Sequence, residues 1–381
     1  MRVLIAVATW LAQGLYSGLK ALFPARRKIV FLSRQSDSPS RDFLLLADEL
    51  RRREPGIEIV MRCRMLGGSW PARIGSLPSA LGQMYHLATS SVCVVDGYVI
   101  PVSLLTHRSG MFIVQLWHAL GAIKRFGYQT LDSPGGHSSA LAGSMRMHRN
   151  YGLVLCSGPA TVPVFAEAFA VDPAIVRPLG LPRLDHLLAH ADDARTMPTP
   201  PAVAALRREF PILADPARRV VLYAPTFRRG GSDRYRDVTG RFSGAGYTLI
   251  VKPHPLETVR VEGPDVVNAG GVDVLDLLPL CDVVITDYSA VAFEACVLDL
   301  PVFFWVYDID EYSRAHGLNI DLLAEFPEAT SRDLEALASH IDAGVLDPGS
   351  TLTLRQRYVT AADGRCTERI ADVIMTNLTV G

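Results

Sequence analysis

The chain has 381 residues, of which 49% are apolar and only 20% charged, and its 38 basic and 39 acidic side chains leave a formal charge of −1. That length suits two domains, each burying its own core. The even balance argues against a nucleic-acid partner, because no broad basic excess exists to neutralise a phosphate backbone; the basic groups are local instead, as small anionic ligands need.

Residues 3–23 are largely apolar, and Ala25-Arg26-Arg27-Lys28 follows. The stretch lacks the basic start and small-residue cleavage site of a secretory signal. Thr9, Gln13, Ser17 and Lys20 interrupt it as a membrane span. Those four fall at spacings that make one polar stripe on a helix, with Leu4, Trp10, Leu11, Leu15, Tyr16, Leu19 and Leu22 on the rest. The pattern predicts a helix lying in a membrane interface, with the basic cluster on anionic headgroups. The competing reading is a helix that covers a domain of a soluble fold.

An apolar run at 29–32, a helix at 42–53 and a strand at 57–61 open the next domain, which 92–95, 111–116 and 153–156 continue as strands. The strand at 111–116 runs into Trp117-His118-Ala119-Leu120-Gly121-Ala122-Ile123-Lys124-Arg125-Phe126-Gly127. Small residues there let backbone or ligand come close, and His118 sits where a general base would be placed. An imidazole with an ordinary pKa of about 6.5 accepts a proton near neutral pH. Beside a tryptophan it also reads as a core or boundary residue. The polar, proline-rich stretch 191–201 reads as a linker.

A second alternation of strands and helices follows from about residue 205. The strand 220–223 runs into Ala224-Pro225-Thr226-Phe227-Arg228-Arg229, and 249–251 into Lys252-Pro253-His254-Pro255. The strand 283–285 ends in Thr286, Asp287 and Ser289 at the start of an apolar helix at 290–298. Three strands thus deliver phosphate-competent groups at their carboxyl ends, where open α/β sheets bind ligands. Arg228 offers a planar fork, Lys252 a point charge and His254 an imidazole aimed by two prolines. The turn at 286–289 offers backbone N–H groups and the positive end of a helix dipole. Each feature has a plain counterpart: solvated surface charges for Arg228 and Lys252, and an ordinary N-cap for the turn. Glu294 could reach a ribose hydroxyl or face solvent.

No G-x-G-x-x-G follows a strand, which sets a dinucleotide oxidoreductase aside. The six cysteines, Cys63, Cys93, Cys156, Cys281, Cys296 and Cys366, contain no C-x-x-C pair. They read as thiols in a reducing compartment, with neither a zinc site nor a disulfide frame.

With these residues in view, the chain resembles the CDP-glycerol glycerophosphotransferases, the teichoic-acid primases and polymerases of Gram-positive envelopes. The family's Trp-His-Ala/Gly with a downstream Lys and Gly is matched by Trp117, His118, Ala119, Lys124 and Gly127. Its Tyr-Ala-Pro-Thr-x-Arg is matched by residues 223–228, its His-Pro by His254 and Pro255, and its Thr-Asp-Tyr-Ser-Ser by residues 286–290. Ala290 replaces the last serine, so no hydroxyl contact is given to that position. Weaker family-like stretches are 31–36, 180–185, which contains Arg183, and 307–312. The resemblance runs from about residue 29 to about 320.

It implies an α/β chain of GT-B architecture, with two Rossmann-like parallel-sheet domains facing a central cleft and an N-terminal interfacial helix. The expected organisation is 1–28 for the interfacial helix and basic cluster, 29–195 for an acceptor-side domain and 196–381 for a CDP-alditol-binding domain. The implied reaction transfers an alditol phosphate, glycerol phosphate first, from a CDP-alditol to a hydroxyl of a lipid-linked glycan acceptor. CMP is released at the cytoplasmic face of the membrane, where the enzyme is peripheral. His118 would take the acceptor proton, and His254 and Arg228 would stabilise charge on the transferring phosphate. Lys252, Thr286, Asp287, Ser289, Glu294, Lys124 and Arg183 complete the implied substrate contacts. Asp308-Ile309-Asp310 mimics a metal-binding D-x-D, but GT-B enzymes hold the diphosphate with helix termini and side chains, so neither metal nor other cofactor is expected. Two alternatives stand beside this reading: a GT-B glycosyltransferase using a nucleotide sugar, and an inactive membrane scaffold.

Overall fold

The computed structural model describes residues 2–65, 77–134, 136, 138–192, 199–228, 234–254, 257, 259–344 and 349–379. Arg229, Pro255 and most of the expected linker lie outside the described residues. The chain divides into two compact units, one of residues 1–120, 126–185 and 363–381, the other of residues 121–125 and 186–362.

The first unit is built on a six-stranded parallel sheet of β1 (Arg26–Ser33), β2 (Glu58–Cys63), β3 (Ser90–Val95), β4 (Phe112–Gln115), β5 (Leu153–Leu155) and β6 (Val176–Arg177). Its order is β2-β1-β3-β4-β5-β6. The second unit holds β7 (Arg219–Tyr223), β8 (Tyr247–Val251), β9 (Val266–Asn268), β10 (Val283–Thr286), β11 (Val302–Trp305) and β12 (Thr330–Ser331). Their order is β12-β11-β10-β7-β8-β9, again parallel. Apolar, β-branched runs form the central strands of both sheets, and β3, β8, β10 and β11 are buried along their whole length. The order reverses between β1 and β3 in one sheet and between β7 and β10 in the other. Those switch points leave a crevice at the strands' carboxyl ends.

The apolar runs recognised in the sequence are the observed central strands, each within about three residues at its ends. The two- and three-residue strands β6, β9 and β12 carry too little pattern to be read. The expected helix 290–298 is a short α-helix, Val291–Ala295, continued by a 3-10 turn at Cys296–Leu298.

Helix α1 (Arg2–Leu22) packs on α3 (Leu77–Thr89), after α2 (Arg41–Arg53). Of the stripe of Thr9, Gln13, Ser17 and Lys20, Gln13 and Lys20 are held by the fold, while Thr9 bonds the Ile5 carbonyl of its own helix and Ser17 is exposed. Thr106 N donates to Gln13 Oε1 at 2.8 Å, and Lys20 Nζ donates to the Thr106 carbonyl at 2.8 Å. Tyr16 belongs to this docked side, fully buried with its hydroxyl 2.8 Å from His107 Nδ1. The opposite face carries Val7, Trp10, Leu11, Leu15 and Leu22, with Trp10 74% and Leu22 75% exposed. So α1 both covers the unit and leaves an apolar face in solvent.

The expected headgroup cluster at 26–28 is instead the start of β1. Lys28 is buried against Thr89 and His86, and Arg27 pairs with Glu54 at 2.7 Å. Burial inside the sheet overrides the surface reading for Lys28, whereas Arg26 and Arg27 stay exposed. No helix among the described residues is long and apolar enough to cross a membrane.

Helix α2 starts at Ser40, whose hydroxyl accepts from Phe43 N, and ends in Arg51, Arg52 and Arg53, which favour the negative end of its dipole. The helix Cys366–Asn377 packs against α2, where Arg53 Nη1 meets Asp372 at 2.5 Å. The end of the chain therefore belongs with the first unit.

Candidate active site

In the second unit the register aligns Tyr223 with Ile285 on one side and Val251 on the other. The loops after β7, β8 and β10 therefore leave the sheet at one level. Arg228 sits at their centre. Its Nε donates to Asp308 at 2.9 Å and its Nη2 to Asp287 at 2.9 Å and Asp308 at 3.3 Å. Its Nη1 donates to the carbonyls of Thr226 and Phe227 at 3.1 and 3.4 Å. A guanidinium has five N–H donors, and all five are engaged. Its Cζ also lies 4.5 Å from the centre of the Tyr312 ring. Burial opposes the charge, but Asp287 and Asp308 outweigh it and raise the pKa further. Arg228 thus shapes the site and has no donor left over for a phosphate in this arrangement.

Thr286 and Asp287 are also engaged internally. Thr286 Oγ1 donates to the Ala224 carbonyl at 2.7 Å. Asp287 Oδ1 accepts from Thr226 N, Thr226 Oγ1 and Tyr288 N at 2.8, 2.7 and 2.6 Å. They latch β10 to the turn after β7. The expected capping role falls to neither: Ala290 occupies the N-cap without a side-chain bond, and only Ser289 Oγ approaches Val291 N, at 3.5 Å.

Lys124 differs from Arg228 in kind. It groups with the second unit through Ile123–Arg125, which pair with Gly317–Asn319. Asn319 N donates to Ile123 O at 2.7 Å, Arg125 N to Gly317 O at 3.2 Å and Asn319 Nδ2 to Lys124 O at 2.9 Å. Gly121 allows this course, since a Cβ there would come within 2.7 Å of the Phe293 ring. The Lys124 ammonium makes no ion pair or hydrogen bond among the described residues. Burial lowers its pKa, with Asp287 opposing and Arg228 adding to the shift.

His254 is half-buried, its ring 5.5 Å from that of Phe227. Burial first, then the Lys124 and Lys252 ammoniums, lower its pKa against the pull of Glu257, so the ring is neutral at pH 7. Lys252 Nζ donates to the Gly270 carbonyl at 2.7 Å. Glu294 is only 3% exposed, which removes its solvent-facing reading. Asp308 is held by Arg228, and Asp310 by both Nη atoms of Arg332 at 2.6 and 2.8 Å.

In the first unit, His118 follows β4 and is exposed. Its Nδ1 lies 3.1 Å from the Asp96 carbonyl. A carbonyl only accepts, so Nδ1 carries the proton and the neutral ring keeps its lone pair on Nε2. Gln35 Nε2 lies 3.3 Å from the same nitrogen; with Nδ1 protonated, the carboxamide suits it only when flipped, its oxygen toward the ring. Trp117, stacked between His118 and Phe126 at centroid distances of 4.0 and 4.8 Å, has a φ of +63°. Such a backbone costs on the order of 1–3 kcal/mol for a non-glycine residue.

Asp96 itself is buried with Oδ1 unpartnered, and burial, against the Ser33 hydrogen bond, pushes its pKa up to about 6. Arg183 is clamped to buried Asp42, its N, Nε and Nη2 donating at 2.8, 2.9 and 2.6 Å. Two residues on, Asp185 accepts from Cys366 N, Thr367 N and Thr367 Oγ1 at 2.9, 2.7 and 2.7 Å. The stretch 180–185 therefore ties the first unit together.

Sequence reasoning brought out His118, Lys124, Arg228, Lys252, His254 and the 286–289 turn, and the structure puts all but His118 in the second unit. It gave Gln35, inside the family-like stretch 31–36, no role, and passed over Asp96 and Gln115. The signal for Gln115 was present, a lone polar residue inside the apolar run 111–116. An acidic residue just past the strand 92–95 marked Asp96.

The profile of the family described as CDP-glycerol:poly(glycerophosphate) glycerophosphotransferase matches residues 16–376. A teichoic acid ribitol-phosphate primase of Bacillus spizizenii is 31% identical over 96% of this chain and 95% of the relative. A teichoic acid poly(ribitol-phosphate) polymerase of the same organism is 30% identical over 91% of this chain but 56% of its own length. A teichoic acid glycerol-phosphate primase, also from B. spizizenii, is 25% identical over 62% of this chain and 61% of its own. Among solved structures, the wall teichoic acid polymerase TagF soaked with CDPG superposes with a TM-score of 0.74 at 17% identity, over 99% of this chain and 98% of that one. At that identity the likeness speaks for a GT-B-like fold.

Proposed function

The chain belongs to the CDP-glycerol:poly(glycerophosphate) glycerophosphotransferase family, whose members are phosphotransferases of teichoic acid synthesis that move a polyol phosphate from a CDP-alditol, and from that premise we propose how its residues divide the chemistry. The acceptor hydroxyl forms an O–P bond at the β-phosphorus, the bond between that phosphorus and the bridging oxygen breaks, and CMP leaves with the electron pair. The hydroxyl proton passes to Nε2 of His118, whose Nδ1 is held by the Asp96 carbonyl. That orientation is the observation that carries the catalytic assignment.

Lys124, His254 and Ser289 meet the diphosphate. Arg228, Thr286 and Asp287 hold the loops that present them, Lys252 steadies the His254 loop through Gly270, and Glu294 serves the ribose. Charge gathering on the transferring phosphate is met by a partly buried ammonium, which is worth more there than in water. Arg183 acts through its clamp on Asp42. The acceptor is a lipid-linked glycan, and the apolar face of α1 rests on the cytoplasmic leaflet.

The alditol has two readings. The sequence resemblance put glycerol first, whereas the two relatives at 30 and 31% identity carry names for ribitol phosphate. The test presents CDP-glycerol, CDP-ribitol and nucleotide sugars to the protein with a lipid-linked acceptor. CMP released from one CDP-alditol supports the proposal and names the alditol. UDP released from a nucleotide sugar overturns it in favour of a glycosyltransferase, and no release from any donor in favour of a scaffold.

A further inference from the structure

We infer that Gln115 is a positioning residue for His118: one buried carboxamide grips both backbone segments that orient the imidazole. The inference rests on the reading of His118 as the base.

Gln115 ends β4 and is fully buried in an otherwise apolar strand. Its Oε1 accepts from Trp117 N at 2.9 Å. Its Nε2 donates to the Gly97 carbonyl at 3.1 Å and to the Tyr151 hydroxyl at 2.9 Å. Tyr151 is held in turn by His148 Nδ1 at 3.0 Å. Each backbone partner lies one residue from a group that sets the base. Trp117 precedes His118 and lies in the left-handed region, where an aromatic side chain stays only if its surroundings hold it. Gly97 follows Asp96, whose carbonyl accepts from His118 Nδ1.

Position 97 must also remain small, because a Cβ there would come within 2.7 Å of the Gln35 carboxamide, the other group at His118 Nδ1. An apolar side chain at 115 would leave the Trp117 N–H and the Gly97 carbonyl without their partner. Trp117 could then relax out of its left-handed conformation and turn the imidazole away from the acceptor. Gln115 is not itself exposed to any ligand, so its influence runs through His118.

The test compares Gln115→Met, Gln115→Glu, His118→Ala and the double variants, reading kcat and KM for the CDP-alditol the enzyme uses. Gln115→Met should lower kcat about ten- to a hundredfold, the scale expected when a catalytic group is displaced by an ångström, with donor KM within about twofold. Gln115→Glu keeps an acceptor for the Trp117 N–H but removes the amide donor to the Gly97 carbonyl and sets a buried carboxylate against it, so it should also lower kcat at least about tenfold, with donor KM within about twofold. Adding either substitution to His118→Ala should cost nothing further, because the group being positioned is gone.

Losses that multiply in the double variants, or a folded Gln115→Met with kcat within about threefold of wild type, overturn the inference. If Gln115→Met does not fold, Gln115→Glu decides in both backgrounds: a kcat within about threefold of wild type on its own, or any added loss with His118→Ala, overturns it as well. Near-normal turnover by His118→Ala would instead remove the base assignment, an outcome separate from a Gln115 failure with His118→Ala inactive.

Discussion

Arg228 Nη2 and Asp287 Oδ2 lie 2.9 Å apart, and this pair divides the cations of the second unit into two kinds. Arg228 is held by Asp287 and Asp308 together, with every N–H engaged. Lys124, which both Arg228 and Asp287 influence electrostatically, has no carboxylate paired with it among the described residues. A buried pair broken at one end leaves an uncompensated charge, whereas an unpaired ammonium already bears its desolvation cost.

Arg228→Ala should therefore lower stability by roughly 3–5 kcal/mol, because two carboxylates lose their partner. Lys124→Met should leave stability equal or higher and weaken the CDP-alditol about ten- to a hundredfold, the worth of one charge-assisted contact. Thermal unfolding and donor titration on the two variants check this. A Lys124→Met protein that binds donor like wild type would remove Lys124 from the phosphate site.

His254 supplies a pH signature. Its pKa is lowered by burial and by two ammoniums, so the free protein holds the ring neutral near pH 7. A diphosphate beside it would favour the imidazolium and draw a proton in on binding. Donor binding should thus take up protons and tighten as pH falls, with both effects absent in His254→Gln. Calorimetry in two buffers of different ionisation enthalpy measures the uptake. Equal uptake by wild type and variant would exclude His254.

What was legible in the sequence were the strand ends, because 92–95, 111–116, 220–223, 249–251 and 283–285 are apolar runs that stop at polar residues. The roles at those ends were less legible, since they depend on partners far along the chain. Arg228 looks like a phosphate fork until Asp308, 80 residues on, is seen to hold it. Arg183 looks like a substrate contact until Asp42, 141 residues back, engages it. Lys28 reads as surface charge because nothing local reveals that β1 starts before it. The membership of 121–125 in the second unit depends on pairing with Gly317–Asn319, which no local pattern encodes.

Asp96 gives a stability prediction. Burial raises its pKa from 3.8 to about 6, so the folded state binds this proton more tightly than the unfolded state. The associated stability is fully present below pH 3.8 and is lost as pH rises through about 6. Two pH units correspond to at most about 3 kcal/mol. Asp96→Asn cannot ionise and keeps the backbone carbonyl that serves His118. It should match wild type near pH 4 and be more stable at pH 8, by chemical denaturation at each pH. The same stability difference at both values would refute this.

The last prediction concerns α1. Its docked side is fixed by Tyr16 to His107 and by Gln13 and Lys20 to Thr106. Val7, Trp10, Leu11, Leu15 and Leu22 face outward, and a contiguous exposed apolar face on a helix marks a surface that meets something apolar. Burying such side chains is worth on the order of 1.5–3 kcal/mol each, so a few suffice for reversible membrane binding. With Lys28 buried and Arg27 paired to Glu54, attraction to anionic lipid is the lesser contribution. Trp10→Glu with Leu11→Glu should leave the melting temperature unchanged, since both positions are exposed, and should release the protein from phosphatidylglycerol-containing vesicles. Wild-type binding should fall less than about threefold when salt is raised from roughly 0.05 to 0.5 M. Activity on lipid-linked acceptor should drop in the double variant, while activity on a short water-soluble acceptor persists, because His118 and Lys124 are untouched. Vesicle co-sedimentation equal to wild type would mean that this face is not the membrane contact.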